Sequence, residues 1–319
     1  MTRYLLADIG GTHTRVAFAE PGGAPYEVAR YRNDQLAGPV EALRLKRRQA
    51  QAPVGTPWVV AAAVAGPVQA GRVRLTNLGW ELEAASLAQE VGADEAVLVN
   101  DYQALARSIP ELSEQACTPI GGGLDGDGRT YAVLGPGTGL GVSGVVPARS
   151  GWAVIAGEGG HVTLAATDEA EAELVSSLRA ELGHVSAETV LSGPGLQRLH
   201  RLLHSVDESP ERLVAALYAG DPTAEETLRR FCGFLGEVAG DVALTLGARG
   251  GTYLAGGILP RLDVEWLRRS GLHARFLAKG RFSDYLAKVP LKRIDDPDYA
   301  ALLGLRAWLD DLRYPVAAD

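Results

Sequence analysis

Cysteine is almost absent: Cys117 and Cys232 are the only two in 319 residues. They lie far apart and neither belongs to a Cys-x-x-Cys pair, which excludes zinc-ribbon and dithiol redox chemistry and leaves both as expected core residues. Lysine is scarce as well. Lys46, Lys279, Lys288 and Lys292 are the whole set, none follows a glycine, and a Walker-type phosphate loop is thereby excluded. Long apolar runs are missing. The longest, Trp58 to Ala65, falls well short of the roughly 20 residues that cross a bilayer, and the few apolar residues before Asp8 make no secretory leader. No membrane partner and a cytoplasmic location are expected. Positive charge is also short: the formal net charge of −8 argues against nucleic acid, whose phosphates demand clustered basic surface.

What remains is an ordinary globular composition, 46% hydrophobic and 22% charged, long enough for two packed domains. The stretch Tyr4 to Glu20, YLLADIGGTHTRVAFAE, reads as two strands bent around Gly10 and Gly11. Glycine there lets a bulky anion approach the main chain. Backbone N–H groups with the hydroxyls of Thr12 and Thr14 are suited to a phosphate, and Asp8 suits one only through a cation, so a magnesium-phosphate site is expected. A plain Gly-Gly hairpin would read the same way in isolation. A second copy, Tyr131 to Val146, repeats the plan about 125 positions later. Aligning Gly10-Gly11-Thr12 on Pro136-Gly137-Thr138 sets Val16 on Val142 and leaves Asp8 opposite Leu134. Two such hairpins suggest a duplicated α/β unit gripping one polyphosphate.

Along the chain, Gly38-Pro39 opens an amphipathic helix to about Ala50, and Trp58 to Val64 is a strand covered on both sides. Val73 and Leu75 alternate before a polar turn, Thr76 to Trp80. Leu82 to Val91 reads as helix and Ala96 to Val99 as strand. Asn100-Asp101 then stands at a strand end, where α/β sheets place reactive groups, although either residue would also serve as a helix N-cap. Gly139 to Gly144 matches the dinucleotide-binding pattern, but Val145-Val146-Pro147 follows in place of a helix, and no kinase His-Arg-Asp or Asp-Phe-Gly motif accompanies it. Gly157-Glu158-Gly159-Gly160-His161 reads as a loop presenting a carboxylate and an imidazole, or as a solvated surface turn. Asp168 and Glu171 suggest a capping box for a helix ending at Gly183. Pro194, Pro210 and Pro222 open further helices, Tyr253 to Ile258 passes from strand into a Gly-Gly turn, and Asp296-Pro297 caps a final helix, Tyr299 to Leu312, expected to pack on the N-terminal unit.

Taken together, Asp8-Ile9-Gly10-Gly11-Thr12, Gly135 to Gly141 and Ala255-Gly256-Gly257 resemble the two phosphate elements and the adenosine element of the actin-like sugar kinase superfamily. Asn100-Asp101, Gly157 to His161, and Ser186-Ala187-Glu188 with Leu191-Ser192-Gly193-Pro194-Gly195 are similar to the bacterial glucokinases, in order and nearly end to end. The resemblance implies two actin-like, ribonuclease H-like α/β domains around a cleft: residues 1–110 joined by a C-terminal helix, 297–319, and residues 111–296. It implies phosphorylation of glucose on its 6-hydroxyl by MgATP, in glycolysis, by a homodimer. Asp101 would be the general base, with Asn100, Glu158, His161 and Glu188 joining it on the sugar. Asp8, Ile9, Gly10, Gly11, Thr12, His13, Gly135, Gly137, Thr138, Gly139, Gly256 and Gly257 would hold the nucleotide, and Asp8 the magnesium through water. His13 departs from the family's usual asparagine, so an altered nucleotide affinity or pH response is expected. The cysteine-rich zinc motif and the N-terminal helix-turn-helix of the related repressor and kinase group are absent from this sequence. A kinase for another hexose and a non-catalytic sugar-sensing regulator are the alternatives; a pure sensor has no need of a base at Asp101.

Overall fold

The computed structural model describes residues 2–75, 78–123, 126–149 and 151–314. The chain forms two compact units, Met1–Ser113 with Val145–Val154 and Asp296–Asp319, and Glu114–Gly144 with Ile155–Asp295. Val145–Val154 thus groups with the first unit, which its place in the sequence did not suggest.

In the first unit β1 (Arg3–Ile9), β2 (His13–Ala19) and β3 (Tyr26–Arg32) form an antiparallel meander. After α1 (Pro39–Arg48), β4 (Trp58–Val64) lies parallel to β1. β5 (Arg72–Leu75) and β6 (Trp80–Glu83) make a separate ribbon; Thr76 and Asn77 of the expected turn lie outside the described residues. α2 (Ala84–Val91) leads to β7 (Glu95–Asn100), parallel to β4, and α3 (Asp101–Ser108) follows without a linker. The sheet order is β3-β2-β1-β4-β7.

Alternation along β1 explains the layering. Leu5, Ala7 and Ile9 join a core with Leu43 of α1 and Leu87 and Val91 of α2. Tyr4 and Leu6 face the opposite core, with Ala61, Ala63 and Ala104. β4 is buried along its whole length, as a strand covered on both faces must be.

The second sheet is built from β8 (Cys117–Gly121), β9 (Tyr131–Pro136), β10 (Leu140–Ala148) and β11 (Gly151–Ile155), of which the stretch Val145–Val154 groups with the first unit. Then come α4 (Glu169–Leu182), α5 (Ala187–Val190), α6 (Gly193–His204), α7 (Pro210–Tyr218) and α8 (Pro222–Leu246). β12 (Gly251–Leu254), α9 (Val264–Arg269), α10 (Leu272–Leu277), α11 (Ser283–Leu286) and β13 (Leu291–Ile294) complete the second unit. The sheet order is β11-β10-β9-β12-β13-β8. Setting β8 aside, it reproduces the first sheet: a three-strand meander whose first strand is flanked by a parallel strand, itself parallel to the next. α8 packs on α10 so closely that a Cβ on Gly236 would lie 2.1 Å from the Leu272 carbonyl oxygen.

The last helix, α12 (Pro297–Arg313), belongs to the first unit and supplies Leu302, Leu305 and Leu309 to the core facing Tyr4 and Leu6. Its crossing with α3 requires glycine, since a Cβ on Gly304 would lie 1.8 Å from the Ala104 carbonyl oxygen. Ion pairs lock the same crossing. Arg107 reaches Asp311 at 2.5 Å, and Arg306, held along α12 by Asp310, reaches Glu111 just beyond α3 at 2.8 Å.

One local expectation is corrected. Asp168 caps α4 by accepting from the Glu171 N–H, but the Glu171 carboxylate accepts from the Thr167 N–H and hydroxyl and pairs with Arg275. The reciprocal capping box is instead Ser186 with Thr189, at the start of α5.

Candidate active site

In the first unit the register of three parallel strands sets the site. Ile9 of β1 stands opposite Val64 of β4, and Val64 opposite Asn100 of β7, so the Gly10-Gly11 turn and Asn100-Asp101 emerge from the same end of one sheet. The turn is closed by the Gly10 N–H donating to the His13 carbonyl at 3.0 Å. Asn33, which no sequence motif marked, fastens it. Its amide donates to the Gly10 carbonyl at 2.8 Å, it accepts from the Thr14 hydroxyl at 2.8 Å, and its N–H donates to the Thr12 carbonyl. Thr14 is therefore corrected as a phosphate-cradling hydroxyl: its side chain is fully buried and committed to Asn33. Gly11 and Thr12 are exposed.

Asp8 is buried one residue before the end of β1, opposite Arg15 on β2. The Arg15 guanidinium touches Asp8 at 3.1 Å and Asp298, in the first turn of α12, at 2.5 Å. Burial pushes Asp8 up to about 7; Arg15 opposes this, and the neighbouring carboxylates of Asp101 and Asp298 add to it. The register sets Asp8 level with Ala63 and Val99, so Asp101, two residues beyond Val99, leaves the same end of the sheet. Among the described residues no group of three His, Cys, Asp or Glu side chains is arranged to hold a metal alone. A magnesium ion fits a single-acid site of this kind because it keeps several waters and takes its other ligands from phosphate oxygens.

Asn100 is the N-cap of α3: its side chain accepts from the N–H groups of Tyr102 and Gln103, and its amide donates to the Gly66 carbonyl at 3.2 Å. The capping reading of Asn100 is thus correct as far as its backbone contacts go. Asp101 is the first residue of the helix, half-buried, and its Oδ1 accepts from the Tyr102 N–H at 2.9 Å. His13 begins β2, and its Nδ1 accepts from Arg30 at 3.2 Å when the imidazole is neutral. Burial first, then Arg30, Arg15 and Arg32, lowers its pKa and holds it in that form. The other nitrogen then carries the proton.

In the second unit the Gly137 N–H closes the hairpin turn on the Gly139 carbonyl, and the Gly193 N–H at the start of α6 donates to the Gly137 carbonyl, both at 2.8 Å. The Ala255-Gly256-Gly257 turn lies against the same hairpin. The Ala255 N–H donates to the Leu134 carbonyl at 3.0 Å, and Gly256, at φ +90°, approaches so closely that a Cβ would lie 2.3 Å from the Pro136 carbonyl oxygen. Gly135 sits inside β9 and Thr138 is exposed at the tip. Glu158 and His161 lie on an exposed loop ending in one tight turn, whose carbonyl at Glu158 accepts from the His161 N–H. Glu188, on α5, accepts from the Leu140 N–H at 2.8 Å. Each unit thus gathers its own share of the expected residues: Asp8 to His13 with Asn100 and Asp101 in one, the second hairpin with Gly256, Gly257, Glu158, His161 and Glu188 in the other.

Two sheets of matching strand order, glycine turns at the head of each meander and an acid at the end of a parallel strand define an actin-like sugar kinase. The chain matches the family model "Glucokinase" over residues 5–312. It is 45% identical to a glucokinase of Aromatoleum aromaticum across 96% of this chain and 94% of that one. A crystal structure of glucokinase from an Antarctic psychrotroph superposes with a TM-score of 0.82 at 33% identity, covering 97% and 99% of the two chains. A glucokinase from Streptomyces griseus, solved with glucose and AMPPNP, shares the fold at TM-score 0.68 and 18% identity, over 96% and 98%. The chain belongs to the glucokinase family and is an ATP-dependent glucose kinase.

Proposed function

We propose that the protein transfers the terminal phosphoryl group of MgATP to the 6-hydroxyl of glucose with Asp101 as general base. The observation that carries this is the position of Asp101 at the end of β7, at the same end of the sheet from which the Gly10-Gly11 turn emerges. The Asp101 carboxylate accepts the hydroxyl proton as the oxygen attacks phosphorus, a contribution commonly worth roughly 10² to 10⁴ in rate. Asn100 caps α3 immediately before Asp101 and joins it as a contact to the sugar. Glu158, His161 and Glu188 hold the remaining hydroxyls, and ionised acceptors of this kind penalise an analogue lacking the donor. The residues Asp8 to His13, Gly135, Gly137 to Gly139, Gly256 and Gly257 bind the nucleotide through main-chain N–H groups and close backbone approach. Magnesium, held by Asp8 through water, neutralises phosphate charge when bound.

The proposal divides the chain into a domain of residues 1–110 with the helix 297–319 and a domain of residues 111–296; the compact units differ from it by grouping Val145–Val154 with the first. A cytoplasmic location and a role in glycolysis are part of the proposal; among the described residues no helix is long and apolar enough to cross a membrane. The net charge of −8 supports no role for nucleic acid. A homodimer is part of the proposal, and sedimentation velocity tests it. The reaction itself is tested by coupled ADP release over a hexose panel, with wild type and Asp101→Asn. Glucose turnover at least 100-fold lower in the variant is expected. Unchanged turnover rejects Asp101 as base, better turnover on another hexose makes that sugar the substrate, and no turnover on any sugar favours a sensor.

A further inference from the structure

Leu140, the first residue of β10, has its peptide gripped from both sides. Its N–H donates to Glu188 Oε2 at 2.8 Å. Its carbonyl oxygen faces Gly160 so closely that a Cβ there would lie 2.0 Å away. The preceding residue is constrained too, because a Cβ on Gly139 would fall 2.3 Å from Glu188 Oε2. α5, which carries Glu188, is itself tied to the segment after His161. The Ala187 N–H donates to the Val162 carbonyl at 2.9 Å, the Leu164 N–H donates to the Val185 carbonyl at 3.0 Å, and Thr163 bridges to Ser186. The loop bearing Glu158 and His161, the helix bearing Glu188 and the turn Gly137 to Gly139 therefore meet at one buried peptide.

We propose that Glu188 is a positioning residue for the nucleotide as well as a sugar contact, acting through the Leu140 N–H on the hairpin turn that receives phosphate. The inference rests on the reading of Glu158, His161 and Glu188 as the sugar contacts. A hexose hydroxyl donating to the Glu188 carboxylate fixes the side chain that already holds the first residue after the turn. A turn fixed in this way binds phosphate with less ordering still to be done, and by thermodynamic reciprocity the nucleotide tightens sugar binding by the same factor. Glutamate fits this double duty because an ionised carboxylate accepts at both oxygens without donating.

The test is calorimetric titration of the full chain with glucose, alone and in the presence of saturating AMPPNP and magnesium, for wild type, Glu188→Gln, Gly139→Ala and His161→Gln. Wild type is expected to bind glucose at least fivefold tighter with nucleotide present. Glu188→Gln weakens glucose and brings that ratio to within twofold of one. Gly139→Ala, whose Cβ displaces the Glu188 carboxylate itself, weakens glucose as Glu188→Gln does and likewise loses the ratio. His161→Gln weakens glucose but keeps the wild-type ratio. A wild type without coupling, or a Glu188→Gln that keeps it, overturns the inference while leaving Glu188 as a sugar contact. Glucose affinity unchanged in both Glu188→Gln and His161→Gln overturns the sugar-contact reading itself, and the inference with it.

Discussion

Arg15 and Asp8 face each other across the first hairpin, in register on β2 and β1, with Nη1 3.1 Å from the carboxylate. The guanidinium does not fully compensate the acid, because burial outweighs it and Asp101 and Asp298 add negative potential. With the folded value about 7 against an ordinary 3.8, the native form binds the Asp8 proton more tightly than the unfolded chain does. The associated stability is present at pH 4 and is lost as the pH rises to about 7. Asp8→Asn removes that loss. The ligand-free variant should exceed wild type by roughly 2 to 4 kcal/mol at pH 8 and match it near pH 4, while losing turnover. Urea unfolding at both pH values measures this, and an advantage that does not depend on pH contradicts it.

His13 yields a prediction on binding. Its neutral form, held by burial and by Arg30, Arg15 and Arg32, leaves one N–H directed away from Arg30. Because the pKa is lowered, protonation and its added attraction for phosphate arise only on the acid side of the ordinary histidine range. His13→Asn should differ from wild type in MgATP affinity by a constant factor between pH 7 and 8, and by a growing factor toward pH 6. Equal affinities across pH 6 to 8, by fluorescence or calorimetric titration, remove the role.

The crossing of α3 and α12 sets an acid limit on the fold. Burial alone would raise the Glu111 pKa, but hydrogen bonds and charge from Arg306 and Arg107 outweigh it and hold the group below the usual glutamate range. A lowered folded value contributes stability above the unfolded pKa that disappears as the pH falls through the folded one. Arg306 is 8% exposed, so Arg306→Met should cost roughly 1 to 3 kcal/mol at pH 7, discounted from a fully buried pair because Glu111 keeps some solvent contact. The cost should shrink below pH 4. Chemical denaturation of wild type and variant at pH 7 and pH 3.5 decides it.

What could be read from residues alone follows the range of the interactions. β4 was legible because all seven of its side chains are buried, leaving an uninterrupted apolar run. The two glycine hairpins, the proline-led helices and the Asp296 cap were legible because their signals are local. β3 was missed because it alternates exposed polar and half-buried residues at a sheet edge. β8 carries Pro119 within it, which an edge strand tolerates but a sequence pattern rejects. Glu171 fitted a capping box until Arg275, over 100 positions away, claimed its carboxylate. For the site, residue types and order were informative. Which side chains are bound to one another, as Glu188 is to Leu140 or Asn33 to Thr14, depends on packing that no spacing encodes.

Asn33 leads to the last prediction. It is 5% exposed, donates to the Gly10 carbonyl and accepts from the buried Thr14 hydroxyl, so it sets the shape of the first glycine turn from a strand away. Asn33→Ala leaves that hydroxyl without its acceptor, a defect of about 1 to 3 kcal/mol, and frees the Gly10 carbonyl to tilt. Asn33→Asp keeps an acceptor for Thr14 but offers the Gly10 carbonyl no donor. The two variants should therefore separate stability from binding: thermal melting falls more in the alanine variant, while KM for ATP rises at least fivefold in both. Glucose affinity, measured without nucleotide, should stay within twofold of wild type. A rise in KM confined to the less stable variant would mean that Asn33 serves the fold alone.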